Sequence, residues 1–169
     1  MEPISMNKLD PKFKHEVAAQ PGGEHIMRCF QCGSCTACCT VREVADKYNP
    51  RRIIRMILLG MRDKVLSSDF IWLCAICHNC VEHCPQDVRF SEVMDAIGNI
   101  AVREGYVHPS YATRAEMIGK QGVLYEITER ENQRRQEQGL PPRPIKFDDV
   151  SQILNLTSLL EFVRKGKQK

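Results

Sequence analysis

The sequence predicts a mostly helical protein. Apolar residues recur at helical spacing in two places: Ile53, Ile54, Ile57 and Leu58, then Val93, Ala96, Ile97, Ile100 and Ala101. Start and stop residues bracket the first, with Asn49-Pro50 before it and Gly60 after it. No run of alternating apolar and polar residues marks a strand.

Taken in order, residues 1–24 read as a loose N-terminal arm, with Asp10-Pro11 and Pro21-Gly22-Gly23 and no sustained period. Val41 to Tyr48 suits a short helix. The helix opened by Asn49-Pro50 carries Arg51, Arg52 and Arg55 on its rim, with Arg62 just beyond. Ser67-Ser68-Asp69 can cap a turn into Trp72. Another helix is expected from a cap at Ser91 to a stop at Gly105, then one from Pro109 to Ile118 and a polar one from Val123 to Gln138. Gly139-Leu140-Pro141-Pro142-Arg143-Pro144 should break into extended chain. Asp148 then caps a last helical region with Val150, Ile153, Leu154, Leu156, Leu159, Leu160 and Val163, and Phe162 beside them.

Of the 169 residues, 43% are hydrophobic and 27% charged, which excludes a wholly disordered or fibrous chain. Net charge is +3 and is spread over both halves, so no basic face supports nucleic-acid binding. The N-terminus shows no export segment and no stretch reaches the roughly 18 apolar residues of a membrane span. The expectation is a cytoplasmic chain whose thiols serve as metal ligands.

Cysteine is the outlier: nine, all between Cys29 and Cys84. Cys29-Phe-Gln-Cys32-Gly-Ser-Cys35-Thr-Ala-Cys38-Cys39 and Cys74-Ala-Ile-Cys77-His-Asn-Cys80-Val-Glu-His-Cys84-Pro85 share one pattern if Cys39 closes the first. Both then read C-x2-C-x2-C-x3-C, the run that binds [4Fe–4S] clusters in bacterial ferredoxins. At this chain's cysteine frequency, chance gives one such run about 10⁻³ of the time and two about 10⁻⁶. Two intervening residues let successive thiolates reach neighbouring corners of one cube. The three-residue gap sends the fourth thiolate to the other cube. The expected ligands are Cys29, Cys32, Cys35 and Cys84 for cluster 1, and Cys74, Cys77, Cys80 and Cys39 for cluster 2. Cys38 is left over. It could replace Cys39, since 29, 32, 35 and 38 are evenly spaced, but only Cys39 reproduces the gap before Cys84. Thr40 stands where proline follows in the second motif.

Other chemistries fit less well. Cys74-Ala-Ile-Cys77-His78 matches a haem attachment motif, but the next cysteines would be idle. Zinc sites use pairs of CxxC rather than unbroken quartets. Single CxxC redox pairs do not explain eight thiols in register. His78 and His83 read as neighbours of a site rather than ligands, and the arginine rim as a solvated face or a seat for an acidic partner. Phe30 and Trp72, beside the motifs, could shield the clusters or simply pack. No phosphate loop, nucleophile elbow or HExxH motif is present, so no catalytic residue is expected.

The chain resembles the α-helical ferredoxin class, in which helices bracket two clusters, and more closely the iron–sulfur C subunit of heterodisulfide reductase. The stretches that carry the likeness are Cys29-Phe-Gln-Cys32-Gly-Ser-Cys35-Thr36, Asn49-Pro50-Arg51-Arg52-Ile53-Ile54-Arg55-Met56-Ile57-Leu58-Leu59-Gly60, Ile71-Trp72-Leu73-Cys74-Ala-Ile-Cys77 and His83-Cys84-Pro85. Residues 25–163 are covered. Thr40 and the doubled Cys38-Cys39 depart from the pattern. The resemblance implies a cytoplasmic two-cluster wire. It would run from the A subunit, which bears flavin, to the B subunit, which reduces the coenzyme M–coenzyme B disulfide in methanogenesis. The expected division is arm 1–24, ferredoxin domain 25–105 and a helical partner-docking extension 106–169. An iron–sulfur subunit of a quinone-linked dehydrogenase and a zinc-stapled, non-redox adaptor are the alternatives.

Overall fold

The computed structural model describes residues 5–143 and 148–161. Every regular element among them is helical, and the chain divides into two compact units, Met1–Arg103 and Glu104–Lys169.

The first unit holds seven α-helices: α1 (Phe13–Ala18), α2 (Ser34–Ala37), α3 (Thr40–Val44), α4 (Pro50–Leu58), α5 (Arg62–Leu66), α6 (Asn79–Glu82) and α7 (Phe90–Arg103). Short 3-10 turns at Met6–Lys8, Ile26–Arg28 and Asp69–Trp72 connect them. The two longest, α4 and α7, carry most of the core. Ile53, Ile54 and Ile57 from α4 are at most 1% exposed, as are Val93, Ala96 and Ile97 from α7. Burying side chains of this size contributes about 1.5–3 kcal/mol each.

The start of α4 follows from its sequence. Asn49 Oδ1 accepts the Arg52 N–H at 3.0 Å, and Pro50 occupies the first helical position, where no N–H is needed. The helix stops at Gly60, with φ +76°. That glycine also lets two backbones meet: Asp10 donates its N–H to the Gly60 carbonyl at 2.7 Å, and a Cβ on Gly60 would lie 2.2 Å from the Asp10 carbonyl oxygen.

The segment 1–24, expected to be a loose arm, is in its described part built into this unit. Phe13 and Val17 of α1 are fully buried, and α1 packs against α4 and α7. Arg62 reaches back to pair with Glu16 and lies over the Phe13 ring, 5.3 Å from its centroid. The signal was only two apolar residues four apart, too short for a period but enough for one helical turn and a half. Arg62 is therefore not part of a free arginine rim. Two other expectations shift locally. Helix α7 begins at Phe90 rather than after a cap at Ser91; Ser91 is 1% exposed within the first turn. The helix expected over 41–48 is the shorter α3.

The second unit contains α8 (Pro109–Gln121), α9 (Glu129–Glu137) and α10 (Asp148–Leu156). His108 caps α8 and Gly122, at φ +73°, ends it. The helix expected from Val123 begins only at Glu129, because Thr128 and Glu131 form a reciprocal capping box there. Ala112, Ala115 and Val107 form a small cluster. Helix α10 packs on α8, and Leu160 lies over Gly119. Phe162 and Val163 lie outside the described residues.

Replacing Phe13 with Ala should lower stability by about 3–5 kcal/mol, as for other buried aromatics. Thermal unfolding of the variant beside the parent measures it; a loss under 1 kcal/mol would mean α1 is dispensable.

Candidate metal centre

Two adjacent cavities lie in the first unit, and the cysteines divide between them. One, with an empty volume of about 390 Å³, is lined by Cys29, Cys32, Cys35, Cys80 and Cys84. The other, of about 310 Å³, is lined by Cys39, Cys74, Cys77 and Cys80. Cys80 and Phe90 line both and so form the wall between them. Cys38 lines neither; its thiol faces the Cys35 carbonyl at 3.7 Å.

The local chain path explains why each motif wraps a cavity, and the two motifs repeat it. In the first, Gln31 (φ +65°) and Gly33 (φ +92°) are left-handed, and Gly33 leads into the four-residue α2. In the second, the equivalent positions Ile76 (φ +51°) and His78 (φ +60°) are left-handed, and His78 leads into the four-residue α6. Alternating hand turns consecutive backbone groups toward one point, the concave arrangement that suits a negatively charged guest. Left-handed backbone at non-glycine residues costs of order 1–3 kcal/mol each and persists only where its surroundings hold it. For His78 the surroundings are visible: its Nδ1 and the buried Ser91 hydroxyl lie 3.2 Å apart.

Donors surround the sulfurs in both cavities. In the first, Gln31 Nε2 donates to Cys29 Sγ at 3.4 Å, the Val88 N–H donates to Cys84 Sγ at 3.3 Å, and the Ser34 hydroxyl sits 3.4 Å from Cys32 Sγ. In the second, the Thr40 hydroxyl is 3.8 Å from Cys77 Sγ. The exposed thiols are held below the ordinary value: Cys32 by the Ser34 hydroxyl and N–H, Cys77 by the Asn79 N–H and then the Thr40 hydroxyl. Burial does the opposite to the inner pair, pushing Cys35 up to about 12 and Cys80 up to about 11. Burial thus favours the protonated form of those two thiols, and a cation that takes them as thiolates displaces their protons.

The spacing of the thiols speaks to the guest. Tetrahedral zinc, with Zn–S near 2.3 Å, needs its sulfurs roughly 3.8 Å apart. Among the described residues no three His, Cys, Asp or Glu side chains converge closely enough to hold one metal ion. Sulfurs spread around a cavity suit a polynuclear cluster instead.

Several expectations meet the structure here. Phe30 lines the first cavity but is 60% exposed, so it gives little shelter. Trp72 lies near Gly98 and lines neither cavity. Tyr48 and Phe90 do the shielding: both line the second cavity, are at most 2% exposed and meet edge to face at 6.4 Å. Burial, followed by a hydrogen bond with Cys74, raises the Tyr48 hydroxyl well above its usual range. Neither residue stands in a motif; the one signal for Tyr48 was its place directly before the Asn49 cap. His78 lines the second cavity, whereas His83 is exposed and bonds the Asn79 carbonyl.

Residues 25–88 match the family described as a 4Fe-4S dicluster domain. Over nearly the whole chain, curated relatives are similar. The C2 iron–sulfur subunit of the CoB–CoM heterodisulfide reductase of Methanocaldococcus jannaschii is 30% identical, over 96% of this chain and 92% of its own. The C2 subunit of the H(2)/formate:CoB-CoM heterodisulfide,ferredoxin reductase of Methanococcus maripaludis is 34% identical, over 94% and 91%. The C subunit of the H(2):CoB-CoM heterodisulfide,ferredoxin reductase of Methanothermobacter thermautotrophicus is 28% identical, over 95% and 89%. The two cavities therefore belong to a domain that holds two [4Fe–4S] clusters in a mostly helical fold.

Gly33→Ala should cost about 1–2 kcal/mol, since the strain is in the backbone. The added Cβ itself would sit 3.5 Å from Arg51, an ordinary contact. Gly33→Asn should cost less, because Asn tolerates left-handed backbone. Equal losses of thermal midpoint in the two reconstituted variants would contradict this.

Proposed function

Because the chain belongs to the family of heterodisulfide reductase C subunits, electron-transfer iron–sulfur proteins, we propose that it is the wire of such a complex. It would pass electrons from the A subunit, which bears flavin, to the B subunit, which reduces a disulfide. The substrate at the far end would be the coenzyme M–coenzyme B disulfide, and the complex would work in the cytoplasm. No helix among the described residues is long and apolar enough to cross a membrane, which fits that setting.

The observation that carries the reading is the partition of the cysteines. Cys29, Cys32, Cys35 and Cys84 make a complete quartet in the first cavity; Cys39, Cys74 and Cys77 in the second need a fourth, and the shared Cys80 supplies it. We assign the ligands accordingly, with Cys38 outside both sets. Each cluster would supply a site for one electron at a time. The protein's part is to hold the thiolates, donate N–H and O–H groups to sulfur, and keep water from the inner faces. The shared wall at Cys80 and Phe90 sets the two sites side by side, as single-electron hopping requires.

We assign partner docking to the extension over 106–169. It contains no cysteine, and Leu124, Tyr125, Ile153 and Leu156 in it are 50–86% exposed. Exposed apolar side chains in this number suit a chain that is completed by other subunits.

Anaerobically reconstituted protein should contain about eight irons per chain and show a brown absorption band that dithionite bleaches. A colourless protein with about two zincs would end the reading. Cys84→Ser should perturb the cluster held by Cys29, Cys32 and Cys35, not the one held by its own motif, as seen in the paramagnetic spectra of the reduced protein. Deleting residues 140–169 should release the chain from its complex on a sizing column; an intact complex would remove the docking role.

A further inference from the structure

Arg51 is the only Lys, Arg, Asp or Glu among the described residues that line either cavity. It sits in the first turn of α4, where its backbone is tied to α2 and its side chain reaches the first cavity. Its N–H donates to the Thr36 hydroxyl at 2.9 Å, and that hydroxyl donates in turn to Asn49 Oδ1 at 3.2 Å. Its side chain lies across Gly33, where a Cβ would stand 3.5 Å from Nη1 and 3.6 Å from Cδ. The guanidinium is thereby laid along the backbone between Cys32 and Ser34, at the first cavity. No described carboxylate pairs with it. The second cavity has no counterpart: its lining is apolar or neutral apart from His78.

We propose that Arg51 orders the two clusters, raising the reduction potential of the one in the first cavity above that of its neighbour, so that an electron entering the pair settles on the first. This rests on the ligand assignment made above. The step is a single-electron exchange: the centre at Cys39, Cys74, Cys77 and Cys80 is oxidised, the centre at Cys29, Cys32, Cys35 and Cys84 is reduced, and no bond or proton changes.

Hydrogen bonding to sulfur does not explain an order by itself. Gln31, Ser34 and the Val88 N–H serve the first cavity; Thr40, Tyr48 and the backbone of Asn79 and Ser91 serve the second. The donors are similar in number and kind, whereas the fixed charge is on one side only. Adding an electron to a cluster makes it more negative, and a nearby cation favours that form. A unit charge several ångströms closer to one centre, at a dielectric between protein and water, shifts the one-electron equilibrium about tenfold, or about 59 mV. Because Arg51 is exposed, salt should weaken the effect.

The test is a redox titration of the reconstituted full chain followed by electron paramagnetic resonance, at pH 8 to keep imidazole charge out of the comparison. Cys32→Ser identifies the signal of the first cluster. In the parent protein that signal should be the higher in potential. Arg51→Gln should lower it, moving the partition about tenfold toward the second cluster, while the other signal shifts much less. Arg51→Lys should restore most of the difference, and raised salt should shrink it in the parent but not in Arg51→Gln. If Arg51→Gln keeps its full iron and both signals yet shifts neither, or shifts both alike, the inference is overturned while the wire remains. If the parent holds only one centre, the ligand assignment fails and takes this inference with it.

Discussion

Two stretches of chain, separated by 34 residues, must meet so that each cavity receives a cysteine from the other's motif. Cys39 leaves its own neighbours to line the cavity of the second motif, and Cys84 does the reverse. The crossing works only if what lies between the motifs is rigid and of the right length. Helix α4 provides this. Its buried face anchors it against α1, while its first turn is tied to α2 through Thr36, Asn49 and Arg51. The same helix that fills the core therefore sets the first motif in place, and the site and the core cannot be varied independently.

The constraint also explains where strain is tolerated. Gln31, Ile76 and His78 all adopt left-handed backbone although none is glycine. In a chain free of the guest this left-handed backbone opposes folding. Clusters that cross-link the two motifs would close a long loop and replace the buried protons with iron. Folding and loading should then be one process, as in other small domains whose structure depends on metal.

Much of this was legible in the sequence, and unevenly so. The cysteine runs were readable because their spacing is a property of the cluster, independent of the rest of the fold. Helix α4 was readable because cap, proline, apolar face and terminal glycine all agreed. The role of α1 was not, since Phe13 and Val17 make a single contact stripe whose partners lie on α4 and α7, tens of residues away. Tyr48, Phe90 and Ser91 were missed for the same reason: they reach the site through tertiary packing, and no local pattern marks a buried hydroxyl that meets a sulfur or an imidazole. Trp72 takes the other of its two readings and simply packs. Standing two residues before Cys74 in sequence did not bring its ring to a cavity, because the 3-10 turn at Asp69–Trp72 turns it toward α7 instead.

Near-symmetry is what gives the two sites room to differ. A repeated motif, read twice with the same alternation of backbone hand, builds two nearly equivalent cradles, and two equivalent cradles would leave an electron no preferred resting place. The departures from the repeat are therefore the places where direction can be encoded. Thr40 stands opposite Pro85, His78 opposite Gly33, and Tyr48 faces only the second cavity. Thr40 offers a hydroxyl where Pro85 has no donor, and His78 adds an imidazole where Gly33 has no side chain. The position of α4 is different in kind: it runs from the second cavity, at Pro50, to the first, at Arg51 and Ile54, so one helix places a neutral ring at one site and a full charge at the other. A single helical turn thus suffices to make a pair of like centres unlike.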